Sequence, residues 1–568
     1  MKLLHEFFTT KSIRKHSILF ILLVVISLTI NTMVNWWVKI IIEMGANGED
    51  TTIMMAVFFT VLMIQTFIGV WKFYLSRDIT QVSFTDIMNR LCRKVLDIDY
   101  NTFTTLGEGS IQATFGFTNS VSLGGMAMCQ LVEAAFNFII VTVAIGMISL
   151  PLLIPVAIIY GIGGILAYKI NAKIGKYDKK ITKLKHQRQD LIQKLVGGFA
   201  EIRAMNMQDE TYEAFVNLNN ATLNTLRGKI SIIRRLNGLL DTIDTLMMMA
   251  ILFYAPVMIK SGITTASVMA LVMYGWRLVK PLISVVDYID QWSTYQHEFE
   301  DYEKFMANEI TIKEGMVDLK SFDTRIRFEN VSFQYNNSHD VLKDISFTVD
   351  KGQKIGIVGV SGCGKSTMLK LLERFYDPTA GKILIDGINI KDCTFESLHS
   401  RIGIVQQDTY VFKGTILENL IYGSKGSISI SMRMVEDACK KAAIFDFIDK
   451  LPKRFDTDIG PNGLKLSGGE KQRIAIARLF IKDPDIILLD EASSALDNDS
   501  ELIVQTALEQ MQGKTVIAVA HRLSTIKNSD KILVMDEHQI VEQGTHESLM
   551  LENGVYARLY REKKGGAL

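Results

Sequence analysis

The sequence predicts two domains of different fold class: a membrane domain of six α-helices at residues 1–303 and an α/β domain with a largely parallel sheet at residues 326–562. Long stretches without ionisable side chains cluster in the first half of the chain. Short apolar strands that alternate with helical patterns follow in the second half. The charged, mixed segment 304–325 is predicted to be the linker between the two domains.

Composition excludes several classes of protein. The 568 residues include 62 Lys and Arg against 61 Asp and Glu, a net charge of +1, which predicts no nucleic-acid partner. Hydrophobic residues make up 48% of the chain and mean hydropathy is +0.19, too apolar for a disordered protein. Five cysteines, odd in number and without paired Cys-x-x-Cys spacing, argue against a disulfide framework or a zinc site and indicate a reducing compartment.

Uncharged stretches mark the membrane spans. Ser17–Val38 and Thr51–Val70 lack ionisable side chains, and each is long enough to cross about 30 Å of hydrocarbon. Between Val121 and Ile170 the run is split at Ser149-Leu150-Pro151, which predicts two spans joined by a tight turn. Two further spans are expected at about 238–259 and 263–285. The ionisable residues within or near the later spans are Glu133, Lys169, Asp241, Asp244, Arg277 and Lys280.

Charge in the connections predicts the orientation. Lys11, Arg14 and Lys15 precede the first span, whereas the loop at residues 43–50 has no Lys or Arg. The N-terminus is therefore expected in the cytoplasm and, with six spans, the C-terminus too. The first span is too long for a signal peptide. A multi-pass protein of a cell membrane is predicted, and the short outer loops favour a bacterial inner membrane. The charged stretches 76–120 and 171–235 have helical periodicity and are expected to project from the bilayer.

A glycine-rich loop provides the first chemical motif. Gly359-Val360-Ser361-Gly362-Cys363-Gly364-Lys365-Ser366-Thr367 follows a predicted strand and opens a helix, as a phosphate-binding loop requires. Backbone N–H groups would close around phosphates, and the helix N-terminus favours an anion. Lys365 would reach the β- and γ-phosphates, and the Ser366 hydroxyl would bind Mg²⁺.

Two further motifs suit the same chemistry. The apolar strand Ile486–Leu489 ends in Asp490 and Glu491, which predicts an Mg²⁺ ligand and a group that polarises the attacking water. Ser467, Gly468, Gly469 and Glu470 begin a second helix, and the paired glycines suit close approach by a phosphate.

Together these motifs closely resemble the ATP-binding cassette (ABC) family. The resemblance places Tyr335 where the family stacks an aromatic ring on adenine and Gln407 where it has a glutamine that senses Mg²⁺ and water. It places Asp497 in the D-loop, Ser494-Ala495-Leu496-Asp497, and His521 at the switch histidine. The implied catalytic residues are Glu491 and His521, and the implied metal ligands are Ser366, Gln407 and Asp490. The implied nucleotide-binding residues are Tyr335, Gly359, Ser361, Gly362, Cys363, Gly364, Lys365, Ser366, Thr367, Gln407, Ser467, Gly468, Gly469, Glu470, Asp490 and Asp497.

The resemblance also implies partners and a mechanism. In this family the phosphate loop of one chain and the Leu466–Glu470 segment of another enclose one ATP, so a half-transporter of this type needs a second copy or a relative. A homodimer is favoured and a heterodimer is the alternative. Turns near Thr104–Gly109 and Met205–Glu210 would couple ATP-driven closure to the membrane helices. The implied function is export of an amphipathic or hydrophobic small molecule, lipid or peptide by alternating access.

Two other functions share the same motifs. An importer built on the exporter fold would differ in the direction of flux, and an ATP-gated channel or regulator would carry flux down a gradient. Glu133, Asp241, Asp244, Arg277 and Lys280 fall near the expected inner leaflet and are candidates for a substrate cavity, with interfacial snorkelling or salt bridges of the helix extensions as the alternative.

Overall fold

The computed structural model describes residues 11–116, 118–275, 280–335, 339–406, 409–423, 430–460, 463, 465–490, 506, 511, 513–519 and 526–565. These residues divide into two compact units. The first unit comprises Met1–Ile98 and Thr102–Glu309, and the second comprises Asp99–Asn101 and Ile310–Leu568.

Unit 1 is built of helices. Among its described residues five helices are long and apolar enough to cross a membrane, and the shorter apolar helix Thr265–Gly275 lies where a sixth span is predicted. The predicted helical membrane domain is confirmed. The described helices of this unit are α1 Lys11–Ala46, α2 Thr52–Asp97, α3 Tyr100–Leu106, whose first two residues belong to unit 2, α4 Glu108–Gly116, α5 Thr118–Ile148, α6 Leu153–Gly197, α7 Phe199–Ala204, α8 Gln208–Lys260, α9 Thr265–Gly275 and α10 Lys280–Ala307.

Helix length accounts for the predicted extensions. Helices α6 and α8 have 45 and 53 residues. At about 1.5 Å per residue, both far exceed the roughly 30 Å of a hydrocarbon layer, so each continues well beyond it. The predicted turn at Ser149 is present as a short 3₁₀ helix, Leu150–Leu152, with Pro151 in its first turn. Gly107 and Asn206 adopt positive φ at the two predicted distal turns, where the helices are interrupted.

Unit 2 contains two sheets. Four described strands pair in the order β2-β1-β4-β5 with antiparallel neighbours, and six pair in the order β10-β9-β3-β8-β7-β6. In the larger sheet β9, β3, β8, β7 and β6 are parallel, as predicted, and β10 is antiparallel to β9. The strands are β1 Arg325–Gln334, β2 Asp340–Asp350, β3 Lys354–Gly359, β4 Ala380–Ile385, β5 Ile388–Asn389, β6 Ile402–Val405, β7 Ile486–Asp490, β8 Thr515–Val519, β9 Lys531–Asp536 and β10 Gln539–Gly544.

The parallel strands are apolar because both faces of the sheet are covered. Every residue of β8 is buried, as are the first four of β7. The carboxyl ends of β3 and β7 flank that of β8, which brings the phosphate loop and Asp490 to one sheet edge. The described helices of this unit are α11 Lys365–Leu372, α12 Phe395–Arg401, α13 Ile416–Leu420, α14 Met432–Lys441, α15 Phe445–Asp449, α16 Gly468–Lys482, α17 His546–Glu552 and α18 Val555–Gly565.

Candidate nucleotide site

The loop between β3 and α11 needs its glycines for steric reasons. Gly362 and Gly364 have φ of +86° and +101°, in the left-handed region that disfavours other residues. A Cβ on Gly359 would lie 2.3 Å from the carbonyl oxygen of Met535, and one on Gly364 would lie 2.5 Å from that of Val341. Because these neighbours are backbone atoms, the loop conformation depends on both glycines.

Lys365 is the first residue of α11 and is 6% exposed. Its Nζ donates to the carbonyl oxygens of Gly359 and Val360 at 3.1 and 2.9 Å. These bonds hold the ammonium group against the loop, at the N-terminus of a helix. A fixed cation beside a helix N-terminus favours a phosphate group.

Ser366 and Asp490 meet although 124 residues separate them. The Ser366 hydroxyl donates to Asp490 Oδ1 at 2.8 Å. A hydroxyl and a carboxylate oxygen are hard ligands of the kind that Mg²⁺ prefers, so the pair fits the predicted metal. The third predicted ligand, Gln407, lies outside the described residues, as do Glu491, Asp497 and His521.

Tyr335 follows β1 and is held by edge-to-face contacts. Its ring centroid lies 4.8 Å from that of Phe333 and 5.1 Å from that of Tyr376, with interplanar angles of 87° and 85°. Its hydroxyl lies 3.0 Å from Thr367 Oγ1, which links the ring to the phosphate loop. Tyr335 also lines a cavity of about 220 Å³ together with Tyr376 and Thr379.

The second predicted phosphate-contacting segment is a capped helix start. Ser467 accepts from the backbone N–H of Glu470, and the Glu470 carboxylate accepts from the N–H of Ser467 at 2.7 Å. This capping box satisfies two donors at the start of α16. A Cβ on Gly468 would meet nothing within 4 Å, so packing within the chain does not explain this glycine.

A buried acid beneath the site was missed by sequence reasoning. Glu373 follows α11 and is 6% exposed. Burial, and next the nearby Asp490 carboxylate, raise the pKa of Glu373 to about 7. The His399 Nε2–H donates to the Glu373 carbonyl oxygen at 2.9 Å, and burial lowers the pKa of His399. The only signal in the sequence was an acid immediately after an apolar helix.

The candidate substrate residues of unit 1 have different environments. Glu133 on α5 forms an ion pair with Lys72 on α2 at 2.5 Å, so its carboxylate has a partner within the chain. Asp241 is exposed and Asp244 is half-buried, both on α8. Arg277 and the side chain of Lys280 lie outside what the structure describes.

Fold and site together define a P-loop nucleotide-binding domain that follows a helical membrane domain in one chain. A family model described as ABC transporter matches residues 342–494, and one described as ABC transporter transmembrane region matches residues 17–276. The two models together match more than half of the sequence, and the chain belongs to the ABC transporter family. One membrane domain and one nucleotide-binding domain are the composition of a half-transporter.

Individual relatives match part of the chain. An uncharacterized ABC transporter ATP-binding protein of Bacillus subtilis (strain 168), YwjA, is 40% identical over 54% of this chain and 53% of its own length. A Staphylococcus aureus protein (strain NCTC 8325 / PS 47), named as a proposed multidrug export ATP-binding/permease protein, is 47% identical over 45% of this chain and 42% of its own length. The chain thus spans about half the length of these curated relatives.

One solved structure matches nearly the whole chain. A bacterial Atm1-family ABC exporter with ATP bound aligns with a TM-score of 0.85 and 26% identity, covering 98% of this chain and 99% of its own. The exporter-type fold, with an N-terminal helical domain and a C-terminal nucleotide-binding domain, is therefore confirmed.

Proposed function

We propose that this protein hydrolyses ATP to export an amphipathic or hydrophobic solute across a membrane, and that it works as a dimer. The observation that carries the proposal is the hydrogen bond of 2.8 Å between Ser366 and Asp490 at the end of a phosphate loop. This site lies in the same chain as five helices long and apolar enough to span a bilayer.

In this proposal the described residues would bind and orient ATP. Tyr335 would stack on the base, and Lys365 with the loop N–H groups would bind the phosphates. Ser366 and Asp490 would hold Mg²⁺, which supplies charge neutralisation at the β- and γ-phosphates. Orientation of the attacking water by Glu491, and γ-phosphate contacts by His521 and Gln407, remain predictions from the sequence.

The start of α16 supports a dimer. Ser467 and Glu470 satisfy each other through the capping box, while the open space beside Gly468 leaves the backbone accessible. A second chain could therefore bring its bound ATP against this helix N-terminus. Two ATP molecules would draw two nucleotide-binding domains together, and closure would switch the membrane cavity from one side to the other. A homodimer is the simplest assembly, with a related partner as the alternative.

Export of an apolar or amphipathic solute is supported by a relative and by a cavity. The Staphylococcus aureus relative is named for multidrug export. A cavity of about 1,100 Å³ at one end of α5, α6 and α8 is lined mainly by apolar side chains, among them Leu150, Met249 and Phe253. Its volume is slightly above the range of about 300–1,000 Å³ for small-molecule sites. We place the protein in a bacterial inner membrane with both termini cytoplasmic, following the Lys and Arg distribution.

The decisive experiment uses the purified full-length chain in lipid nanodiscs. ATPase activity is measured for wild type and Glu491→Gln, and the particle mass is read from the same sample. A two-copy particle with hydrolysis that depends on Glu491 supports the homodimer, whereas a silent or one-copy particle contradicts it. ATP-driven uptake of ethidium by inside-out vesicles indicates export. Uptake only by right-side-out vesicles indicates an importer, and ethidium flux down its gradient that persists in Glu491→Gln indicates a channel.

A further inference from the structure

Three charged side chains from three different helices meet in unit 1. Lys229 on α8 lies 2.6 Å from Asp178 Oδ1 on α6 and 2.6 Å from Asp290 Oδ1 on α10. We propose that Lys229 is a positioning residue of the transport cycle: its hydrogen-bonded ion pair with Asp178 is permanent, and its ion pair with Asp290 forms and breaks as α10 moves against the α6–α8 pair. This inference rests on the transport cycle proposed above.

The position of this triad along its helices places it beyond the hydrocarbon layer. Asp178 lies 25 residues after the start of α6, and Lys229 lies 31 residues before the end of α8. At about 1.5 Å per residue these distances are about 38 and 46 Å, beyond a hydrocarbon layer of about 30 Å. The triad therefore lies outside the layer, on the side remote from the Leu150–Leu152 turn and near the middle of α6 and α8.

The two halves of the triad differ in access to water. The side chains of Asp178 and Lys229 are 3% and 9% exposed, whereas that of Asp290 is 31% exposed. Separating Lys229 from Asp178 would leave an uncompensated buried charge, which is strongly unfavourable. Asp290 is the more exposed partner, although its Oδ1 atom is itself buried. Separating Lys229 from Asp290 therefore leaves a carboxylate that can turn toward water, and this ion pair is the one that can break reversibly.

Packing and connectivity also indicate that α6 and α8 form one pair and that α10 is a separate element. Helices α6 and α8 are joined through the short helix α7, and a Cβ on Gly228 would lie 2.7 Å from the ring of Tyr177. This glycine lets α8 approach α6 directly beside the Asp178–Lys229 pair. Helix α10 comes from a later part of the chain. It contacts α8 again where Asn237 hydrogen-bonds to Asp287, and beside this polar contact Leu236 and Leu240 of α8 share an apolar cluster with Leu282 and Val286 of α10.

A direction follows from the proposed cycle. ATP binding draws the nucleotide-binding domains together, so the helix ends that lead to them converge in the ATP-bound state. The Lys229–Asp290 bond is therefore made with ATP bound and released without it. Lys229 forms ion pairs with two carboxylates. When the contact with Asp290 breaks, Asp178 still neutralises Lys229.

The test measures deuterium uptake by the full chain in nanodiscs, with Glu491→Gln as the background that retains ATP. Peptides that cover residue 290 are expected to exchange more slowly with Mg·ATP than without nucleotide. Asp290→Asn should reduce this difference at least twofold. The double variant Asp178→Asn/Lys229→Met should also reduce this difference. Because it removes both buried charges, it leaves neither of them without its counter-ion. Lys229→Arg, which can pair with both carboxylates, should retain the difference.

A matched control removes an ion pair that joins no helices. Arg93 and Asp97 are four residues apart on α2, and Arg93→Gln/Asp97→Asn should leave the nucleotide-dependent difference unchanged. In wild-type background, ethidium moved per ATP hydrolysed should fall at least threefold in Asp290→Asn and stay constant in the control.

Three results would overturn the inference. If Asp290→Asn keeps the full difference in deuterium uptake between the Mg·ATP and nucleotide-free states, the Lys229–Asp290 ion pair does not follow the cycle. If the control variant loses as much of this difference as Asp290→Asn does, the effect is a general one. A Mg·ATP response in peptides of residues 359–367 without one at residue 290 would refute the triad alone. No response in either region would refute the proposed function as well.

Discussion

The buried Glu373 makes the stability of unit 2 depend on pH. Its carboxyl has an ordinary pKa of 4.5 and a folded pKa of about 7. Below pH 4.5 the carboxyl is protonated in both folded and unfolded chains, so no charge is buried and stability is not reduced by ionisation. Above pH 7 it is ionised in both, and the cost of burying the charge is fully present. Stability attributable to this residue therefore falls as pH rises from 4.5 to 7.

Replacing the acid by its neutral isostere should remove this cost. A difference of 2.5 between the two pKa values corresponds to about 3 kcal/mol at 1.36 kcal/mol for each tenfold step, an upper value because buried sites relax. We expect Glu373→Gln to stabilise the protein by about 1–3 kcal/mol at pH 8 and by little at pH 4.5. The His399 bond is unaffected because it goes to the backbone carbonyl.

The assay is denaturant unfolding of the full chain in nanodiscs at pH 5 and pH 8, with EDTA and no nucleotide. Wild type and Glu373→Gln are compared at each pH, so that other titrating groups cancel. Glu552→Gln, at an exposed site at the end of α17, is the control and should show no change at either pH. Equal effects of Glu373→Gln at both pH values, or destabilisation at pH 8, would refute the argument. Mg·ATP should reduce the difference, because a cation at Asp490 favours the ionised form of a neighbouring acid.

Three further substitutions test the nucleotide site. Gly364→Ala should abolish ATP binding in a nucleotide titration, because its φ of +101° and the carbonyl of Val341 leave no room for a Cβ; unchanged affinity would contradict this. Ser366→Ala should weaken ATP binding at least tenfold with Mg²⁺ and little with EDTA, whereas equal losses would place the hydroxyl outside the metal site. Ser467→Ala should lower unfolding free energy by about 1 kcal/mol through loss of the helix cap, with circular dichroism as the measurement and no loss as the contrary result.

Local patterns predicted the nucleotide-binding half well. The strand before Gly359, the loop and the helix after it are adjacent in sequence, and each has its own signal in apolar alternation or glycine spacing. Asp490 was found because an apolar strand ends there, and parallel strands present their carboxyl ends at one sheet edge. The fold class followed from the same local signals.

Pairs that depend on tertiary packing could not be predicted. Lys72 and Glu133 are 61 residues apart, and Asp178 and Lys229 are 51 apart. Helical periodicity identifies the face of one helix but not which face of another helix it meets. Glu373 was missed for a similar reason, since its burial depends on the sheet that carries Asp490. The sequence offered Glu133 as a cavity candidate, and only the packing of α2 against α5 shows its lysine partner.

The bond between Ser366 and Asp490 has a consequence for metal identity. Because the hydroxyl hydrogen points to Asp490 Oδ1, a lone pair of the serine oxygen is free to face a cation from a fixed direction. A single hard oxygen thus sets part of the cation preference at the proposed magnesium site. Sulfur in its place, as in Ser366→Cys, would shift that preference from Mg²⁺ toward thiophilic ions such as Mn²⁺ or Cd²⁺. If a softer ion restores the ATPase activity of Ser366→Cys, the side chain at position 366 contacts the metal directly.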